Sequence, residues 1–306
     1  MAAVMTDADF NFLRLLLHLR SGLALSLEKR YLAESRLGIL CRRRGIDKIG
    51  LLVQRLRHGN EIELENAVIE AMTTNETLFF RDQSPFELFR NVILPEKLAS
   101  NAATRTLRIW CAAVSTGQEA YSLAMVLDEM AARLSGWKVQ IIGTDISTEV
   151  LERARAGIYN QFEIQRGLPI QMLLRHFQQN GDKWQVSERL RAMVELQQHN
   201  LLDPSSHLGQ FDVIFCRNVL IYFDVPTKTK VLAALAPRLA PDGAVVLGAA
   251  ETVIGISAAI VPDKQHRGLY RDHRSSHAQA ASISLPVLPP AAVAPLLAKV
   301  SSRIRA

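Results

Sequence analysis

Residues 211–223 read FDVIFCRNVLIYF. Four consecutive apolar residues, Val213 to Cys216, fit a strand buried on both faces, the kind that fills the middle of a parallel sheet. Arg217 and Asn218 fall where such a strand ends, and the apolar pattern resumes from Val219 to Phe223 with Tyr222 inside it. Open α/β sheets bind ligands outside the carboxyl ends of their strands, so one reading is that the Arg-Asn pair faces a ligand. The other is a turn closed by a capping asparagine. The segment by itself leaves the two equal.

The same grain runs outward on both sides. LRIWCAA (107–113), VQIIGTDI (139–146), MVELQQHNL (193–201) and GAVVLGA (243–249) read as further strands. Helices are expected from about Thr116 to Leu134, across STEVLERARAGIY with Ser147 or Thr148 as N-cap, and over PTKTKVLAALAPRLAPDG (226–243), which starts at Pro226 and closes on a Pro-Asp-Gly turn. Strands alternating with helices predict an α/β fold over 105–272, a doubly wound, Rossmann-like sheet. Residues 160–192 interrupt it with a helix from Pro169 to Gln178 and then QNGDKWQVS, where Asn180-Gly181 signals a hairpin. An inserted small β-subdomain is expected there. Upstream, 1–74 reads as an all-helical N-terminal domain broken at Gly22, Gly45 and Gly59, and 75–104 as a linker with a connecting helix. Residues 273–306 are rich in Ala, Ser and Pro and hold no acid, a composition expected to stay disordered.

A chain of 306 residues, 48% hydrophobic and 22% charged, has the composition of a soluble protein with room for two domains. The leucine-rich stretch from Phe12 to Leu19 is short and interrupted by Arg14 and His18, so no membrane insertion is expected. The N-terminus lacks the layout of a signal peptide. Cys41, Cys111 and Cys216 are odd in number and scattered, which points to the reducing cytoplasm and to no metal. Charge is uneven. Residues 10–60 hold eleven basic side chains and three acidic ones, a net of +8, against +6 for the whole chain. Lys29, Arg36 and Arg43 recur every seven residues and share a helix face. Such a lobe fits an acidic partner, or simply a solvated face.

Polar groups collect at the expected strand ends. The first strand runs into AAVSTGQEAYS (112–122), a small-residue turn before a helix, where backbone can approach a ligand. Gly117 is its one glycine, so it is not GxGxxG, and this counts against a dinucleotide dehydrogenase; Ser115 and Thr116 are also candidate helix caps. Asp145 closes the second strand, suited to ribose hydroxyls or to capping the next helix. With Arg217-Asn218 these favour an adenosine-type ligand. TTNETLFFRD (73–82) reads blandly as a capping box of Thr73 with Glu76 before a core of Phe79 and Phe80. Yet Asn75, Thr77 and Arg81 concentrate hydrogen-bonding groups at a domain junction, a preferred place for ligands.

TTNETLFFRD, WCAAVSTGQEAYSLAM, GTDIS and FDVIFCRNVLIYF, in this order, resemble the chemotaxis receptor glutamate methyltransferases over roughly residues 10–272. The resemblance implies S-adenosylmethionine as methyl donor, S-adenosylhomocysteine as product, and receptor glutamate γ-carboxylates as acceptors. By motif match, Asn75, Thr77 and Arg81 would reach the cofactor from the linker, and Glu119 and Asp145 would hold its amino-acid and ribose portions. Asn200 and Leu201 would border the adenine, Arg217 and Asn218 would line the same pocket, and Tyr222 would stand with Arg81 near the methyl group. Gln118, Ala120 and the pair Ala249-Ala250 depart from residues common among relatives. A glutamate carboxylate, with a reference pKa near 4.3, is ionised at neutral pH and needs no general base, so Arg81 and Tyr222 are expected to orient the reactants. The partner implied is the cytoplasmic helical bundle of chemoreceptors, its acidic face meeting Lys29, Arg36 and Arg43. Two other readings stand beside this one: a non-catalytic S-adenosylmethionine-sensing adaptor, and a nucleic-acid methyltransferase. The second is disfavoured because the basic segment lacks interleaved aromatics and the sheet lacks an Asn/Asp-Pro-Pro-aromatic stretch.

Overall fold

The computed structural model describes residues 5–59 and 61–273. The disorder expected of the tail therefore concerns residues that, from 274 on, lie outside the described ones.

Four helices come first: α1 (Asp7–Ser21), α2 (Arg30–Arg44), α3 (Ile49–Arg57) and α4 (Ile62–Met72). Thr6 and Asp9 cap the start of α1 reciprocally, and Gly22, at φ 76°, ends it in the left-handed conformation that glycine adopts without strain. Gly45 (φ 63°) ends α2 and Gly59 (φ 75°) follows α3, so the glycines mark helix ends as expected. Phe10, Leu13, Leu17, Leu37, Leu52 and Val68 close a core of their own.

From Thr73 the chain runs extended. The capping box expected at Thr73 and Glu76 does not form. Thr73 instead terminates α4 with its hydroxyl donating to Glu70 O (2.7 Å), because the backbone there turns to ψ 149°. Phe79 and Phe80 are buried, as expected. A helical run follows as α5 (Ser84–Leu88), a wide turn over 89–93, and α6 (Leu94–Ser100). Pro95 explains the wide turn. It has no N–H for the carbonyl four residues back and would press on it, and the i→i−5 bond from Leu94 N–H to Phe89 O makes room.

The strands are β1 (Thr106–Ala112), β2 (Lys138–Asp145), β3 (Ile158–Asn160), β4 (Phe177–Asn180), β5 (Lys183–Val186), β6 (Val194–Gln198), β7 (Phe211–Cys216), β8 (Leu239–Leu247), β9 (Ile260–Pro262) and β10 (Leu269–Asp272). The remaining helices are α7 (Gln118–Glu129), α8 (Thr148–Ala156), α9 (Gln161–Gln165), α10 (Ile170–His176), α11 (Glu188–Arg191) and α12 (Val225–Leu235). Ser147 caps α8, accepting from Val150 N–H. A seven-stranded sheet runs β6-β2-β1-β7-β8-β10-β9, with β10 antiparallel to both its neighbours and the other pairs parallel. This is the doubly wound architecture. The chain leaves β1 toward β2 and β6, then returns to β7 on the other side, so the crevice beyond the ends of β1 and β7 is the switch point where such sheets take ligands.

All six residues of β7 are buried. Val213 and Phe215 enter the layer formed with α7 and the linker, and Ile214 and Cys216 the opposite layer with α12. Burying such a side chain contributes about 1.5–3 kcal/mol, which is why an uninterrupted apolar run settles in the sheet's centre.

The helix expected over 226–243 is shorter. α12 ends at Leu235, and β8 begins at Leu239. The Pro-Asp-Gly triplet is a bulge inside β8: β7 advances from Phe211 to Val213 while β8 advances from Leu239 to Ala244. Pro241 has no N–H for a ladder, and the looped-out Asp242 pairs with Lys97, whose side chain is buried, at 2.6 Å.

The insertion is a three-stranded antiparallel sheet, β3-β5-β4, with α9, α10 and α11 around it. Its hairpin turns on Gly181-Asp182, one residue later than expected, since Asn180 already pairs with Lys183. Tyr159 fastens it to the main body by donating to Thr116 O (2.7 Å). Gly167 (φ 91°) passes so close to Phe79 that a Cβ would lie 2.1 Å from the carbonyl oxygen, which admits glycine alone.

The helical domain abuts the sheet domain where α1 ends. Leu23 forms an isolated antiparallel bridge with Phe223, Ala24 N–H donates to Tyr222 O (2.9 Å), and His18 meets Asp224 at 3.0 Å. Among the described residues no helix is long and apolar enough to cross a membrane.

Candidate functional site

A cavity opens at the switch point. Its walls come from the linker, the turn after β1, the ends of β2, β6 and β7, and the stretch after α1 at Ser21 and Leu23. Asn75, Thr77, Arg81, Glu119, Asp145, Asn200, Leu201, Arg217, Asn218 and Tyr222 all line it.

Arg217 answers the question posed by its segment. Its side chain is 1% exposed, and its guanidinium donates through Nη1 to Glu119 Oε2 (2.8 Å) and through Nη2 to Asp82 Oδ2 (2.8 Å) and Arg81 O (2.9 Å). The ring of Phe86 lies 5.7 Å from it. Arg217 thus ties β7, α7 and the linker into one wall. A planar fork reaching three acceptors is the geometry arginine supplies and lysine does not. Burial raises the Glu119 carboxyl above its ordinary range, and Arg217 opposes that rise.

Asp145 is 6% exposed and anchors two loops: Oδ2 accepts Ser115 N–H (2.9 Å) and Oδ1 accepts Ser147 N–H (3.0 Å). Burial raises its carboxyl too, countered by these N–H groups. Ser115 and Thr116 do not cap α7. Its N-cap position is Gly117, while Ser115 Oγ donates to Asn75 O (2.8 Å) and Thr116 Oγ1 to Gln118 Oε1 (2.8 Å). The β1 turn is therefore stitched to the linker across the cavity. It is also strained, with Ala113 at φ 68° and Ser115 at φ 52°. Among the described residues the other non-glycine ones with positive φ are Phe80, Asp82, Gln83, Arg105 and Asn218, so all but Arg105 belong to segments that build this wall. Strained backbone gathers at functional sites because the surroundings must over-determine it.

Asn200 borders the cavity with its amide engaged: Nδ2 donates to Arg20 O (2.7 Å) and Oδ1 accepts Leu202 N–H (3.1 Å). Arg81 Nη1 donates to Glu76 O (2.9 Å), which steadies its side chain at the rim.

Two residues of this region carried no expectation. His199 is buried beside Asn200, and burial pulls its pKa down, keeping the ring neutral. Glu251, just beyond β8, is 8% exposed and accepts backbone N–H groups from the segment that follows Arg217. The signal available was an unpaired acid at the same sheet edge as Arg217.

Of the three basic residues expected on one docking face, Arg36 is occupied. Its guanidinium donates to Met72 O (2.7 Å), Thr73 O (2.7 Å) and Thr74 Oγ1 (3.0 Å), holding the start of the linker against α2. A seven-residue spacing shows a shared face but not which members point to a neighbouring segment. Much of the basic excess is likewise used internally, Arg30 with Asp7 and Glu34, Arg55 with Glu61, and Arg57 with Asp9. Lys29, Arg42, Arg43 and Arg44 are exposed, and no ion pair holds them among the described residues.

The family model described as "CheR methyltransferase, SAM binding domain" matches residues 75–264, and "CheR methyltransferase, all-alpha domain" matches residues 8–73. The chain belongs to the CheR methyltransferase family. Chemotaxis protein methyltransferase Cher2 of Pseudomonas putida is 42% identical over 254 residues, covering 82% of this chain and 92% of that protein. Chemotaxis protein methyltransferase 1 of Pseudomonas aeruginosa is 43% identical over 251 residues, covering 81% and 91%. The wall of this CheR-family methyltransferase fits S-adenosylmethionine. Glu119 and Asp145 are acceptors suited to an ammonium and to a pair of hydroxyls, and a carboxylate oxygen already holding one N–H keeps a second lone pair. Leu23, Leu201, Val219 and Phe223 supply apolar wall between them.

Proposed function

We propose that this enzyme transfers the methyl group of S-adenosylmethionine to glutamate side chains of chemoreceptors, giving γ-methyl esters and S-adenosylhomocysteine. The observation that carries the reading is the convergence of Glu119, Asp145, Arg81 and Tyr222 on one cavity at the switch point. Asn75, Thr77 and Arg81 would hold the cofactor from the linker side, with Glu119 at its amino-acid portion and Asp145 at its ribose. Asn200 and Leu201 would border the adenine, and Arg217 and Asn218 would complete the wall. When bound, S-adenosylmethionine supplies an electrophilic methyl group on a sulfonium. The protein's own contribution is placement. An acceptor glutamate is already ionised near neutral pH, so no side chain has to remove a proton. Arg81 and Tyr222 orient the carboxylate, and Leu23 and Phe223 add apolar wall beside them. Such positioning is worth about 7 kcal/mol or more of a barrier.

The decisive experiment is transfer of labelled methyl to bacterial membranes containing chemoreceptors, followed by alkali. Label released as methanol is the expected result. Alkali-stable label would redirect the assignment to amine or nucleic-acid acceptors.

Cofactor affinity is expected to depend on pH through Glu119. Its value in the folded protein is raised, so its contribution to folding is complete at acid pH and is lost as pH rises through that value. A ligand ammonium reverses the preference and favours the ionised form. S-adenosylhomocysteine binding is therefore expected to tighten as pH rises through this range and to release a proton. Calorimetry in two buffers of different ionisation enthalpy reads that proton; its persistence in Glu119→Gln would assign it elsewhere.

The receptor surface follows from the unpaired cations. Lys29 and Arg43, with Arg42 and Arg44 beside them, would meet acidic faces of the receptor bundle, and Arg36 would support them from behind. Reversing Lys29 and Arg43 to glutamate is expected to lower receptor methylation severalfold at physiological salt and leave S-adenosylhomocysteine affinity unchanged. Equal loss of both would remove these residues from docking.

A further inference from the structure

The segment after Arg217 is held by an unusual acceptor. Glu251 Oε2 accepts N–H from Gly248 (2.8 Å) and Asn218 (2.8 Å), and Oε1 accepts from Val219 (3.0 Å), Leu220 (2.7 Å) and Ile221 (3.3 Å). Four of these donors are consecutive, and Asn218 among them is held at φ 58°. The last of the four precedes Tyr222, which closes the 3₁₀ turn over Leu220–Tyr222 and whose carbonyl takes Ala24 N–H from the helical domain. Asn218, Val219 and Tyr222 line the cavity, whereas Glu251 does not. A ring of converging backbone N–H groups is an anion nest of the kind proteins use for phosphates. Here the chain fills it with its own carboxylate. Gly248 permits this, since a Cβ there would lie 2.7 Å from Glu251 Oε2 and 3.0 Å from Asn218 N.

We propose that Glu251 is a positioning residue for methyl transfer: by filling this nest it fixes residues 218–221 and thereby sets Tyr222 against the reacting groups. This rests on the methyltransferase reading of the cavity. Burying a carboxylate is costly unless it is fully bonded, and an ordinary turn is closed by one Asn, Asp or Ser. Five N–H bonds to one carboxylate fix a strained loop in a single shape, which orientation of Tyr222 requires and a mere connection does not.

Glu251→Gln tests this with little change in volume. Its amide oxygen retains one set of donors, and its NH₂ is turned against the other set, donor facing donor. The expected result is a kcat on receptor membranes lower by about tenfold or more, with S-adenosylhomocysteine affinity within about threefold of wild type. Gly248→Ala, which displaces the carboxylate and keeps its charge, is expected to lower kcat in the same direction. Tyr222→Phe in the Glu251→Gln background is expected to cost less than it does alone, because the two act through one contact. Full additivity, or an unchanged kcat in both nest variants, would overturn the proposal. Amide exchange over 218–222 is read in parallel and needs no acceptor protein: faster exchange in Glu251→Gln at unchanged melting temperature supports the nest, and unchanged exchange overturns it. A wild-type enzyme that methylates no receptor would count against the proposed function alone, with the exchange measurement still deciding the nest.

Discussion

Arg217→Met is expected to destabilise the fold by about 3–5 kcal/mol, the cost of leaving one member of a buried ion pair alone. Methionine roughly retains the stem, so the loss is that of the guanidinium. Its three acceptors then fare differently. Asp82, with a side chain 41% exposed, can turn to water. The Arg81 carbonyl lies near the rim. Glu119, 12% exposed at its side chain and already raised by burial, loses the charge that opposes that rise and is forced further toward its protonated form. Most of the cost therefore sits on Glu119, and Arg217→Met/Glu119→Gln is expected to recover a large part of the lost stability. At about 2–4 °C per kcal/mol for a chain of this size, the single variant should melt at least about 6 °C below wild type. With Glu119 placed at the amino-acid portion as proposed, S-adenosylhomocysteine affinity is expected to fall as well, since a protonated Glu119 no longer offers a charge to the ligand's ammonium. Arg217→Lys is not expected to restore either property, because a point charge cannot reach three acceptors at once. A melting temperature within 2 °C of wild type would show that the linker and α7 hold the wall without the arginine.

Arg81→Ala is expected to lower kcat by about a hundredfold, a loss of the size that misplacement by an ångström produces, and to change S-adenosylhomocysteine affinity much less. Residue 81 is fixed from both ends: its carbonyl accepts from Arg217, its guanidinium donates to Glu76 O, and Phe80 and Asp82 on either side hold positive φ at 48° and 67°. A backbone so constrained presents its side chain in one direction, toward the cavity that Tyr222 also lines. A residue that orients an ionised acceptor acts on the chemical step, so the loss belongs in kcat. Arg81→Lys is expected to be intermediate. The measurement is initial rate against receptor membranes at saturating cofactor, beside calorimetric binding of S-adenosylhomocysteine. A kcat near wild type with weakened binding would make Arg81 a cofactor ligand only.

How legible the sequence was depended on whether a feature is local. β7 was plain because Val213 to Cys216 leave a central parallel strand as the natural reading, and Gly22, Gly45 and Gly59 marked helix ends because helices so often stop on left-handed glycine. Thr73 and Glu76 misled for a related reason: they have the spacing of a capping box, but the tie of Arg36 to Met72 and Thr73 pulls the chain straight, and no three-residue spacing encodes that. Pro241-Asp242-Gly243 looked like a turn after a helix and is a bulge, because its partner Lys97 lies 145 residues earlier. Arg217 does lie at a strand end, yet its acceptors are 98 to 136 residues away, and pairing at that distance is written in no local pattern. Glu251, after two alanines, carried no expectation at all; its five donors become visible only once β7 and β8 lie side by side.

The bridge between Leu23 and Phe223, with Ala24 donating to Tyr222 O and Asn200 reaching back to Arg20 O, makes the end of α1 part of the cavity's rim. The two halves of this chain are therefore not interchangeable beads. A hybrid that joins this sheet domain to the helical half of a relative would inherit a foreign edge at the mouth of its own cup. Its success would turn on these short contacts as well as on how well the larger surfaces match. Swapping the halves at residue 73 while carrying over residues 20–25 keeps those contacts native, and gives a rule for building chimaeras that exchange the helical half without trading the reaction vessel.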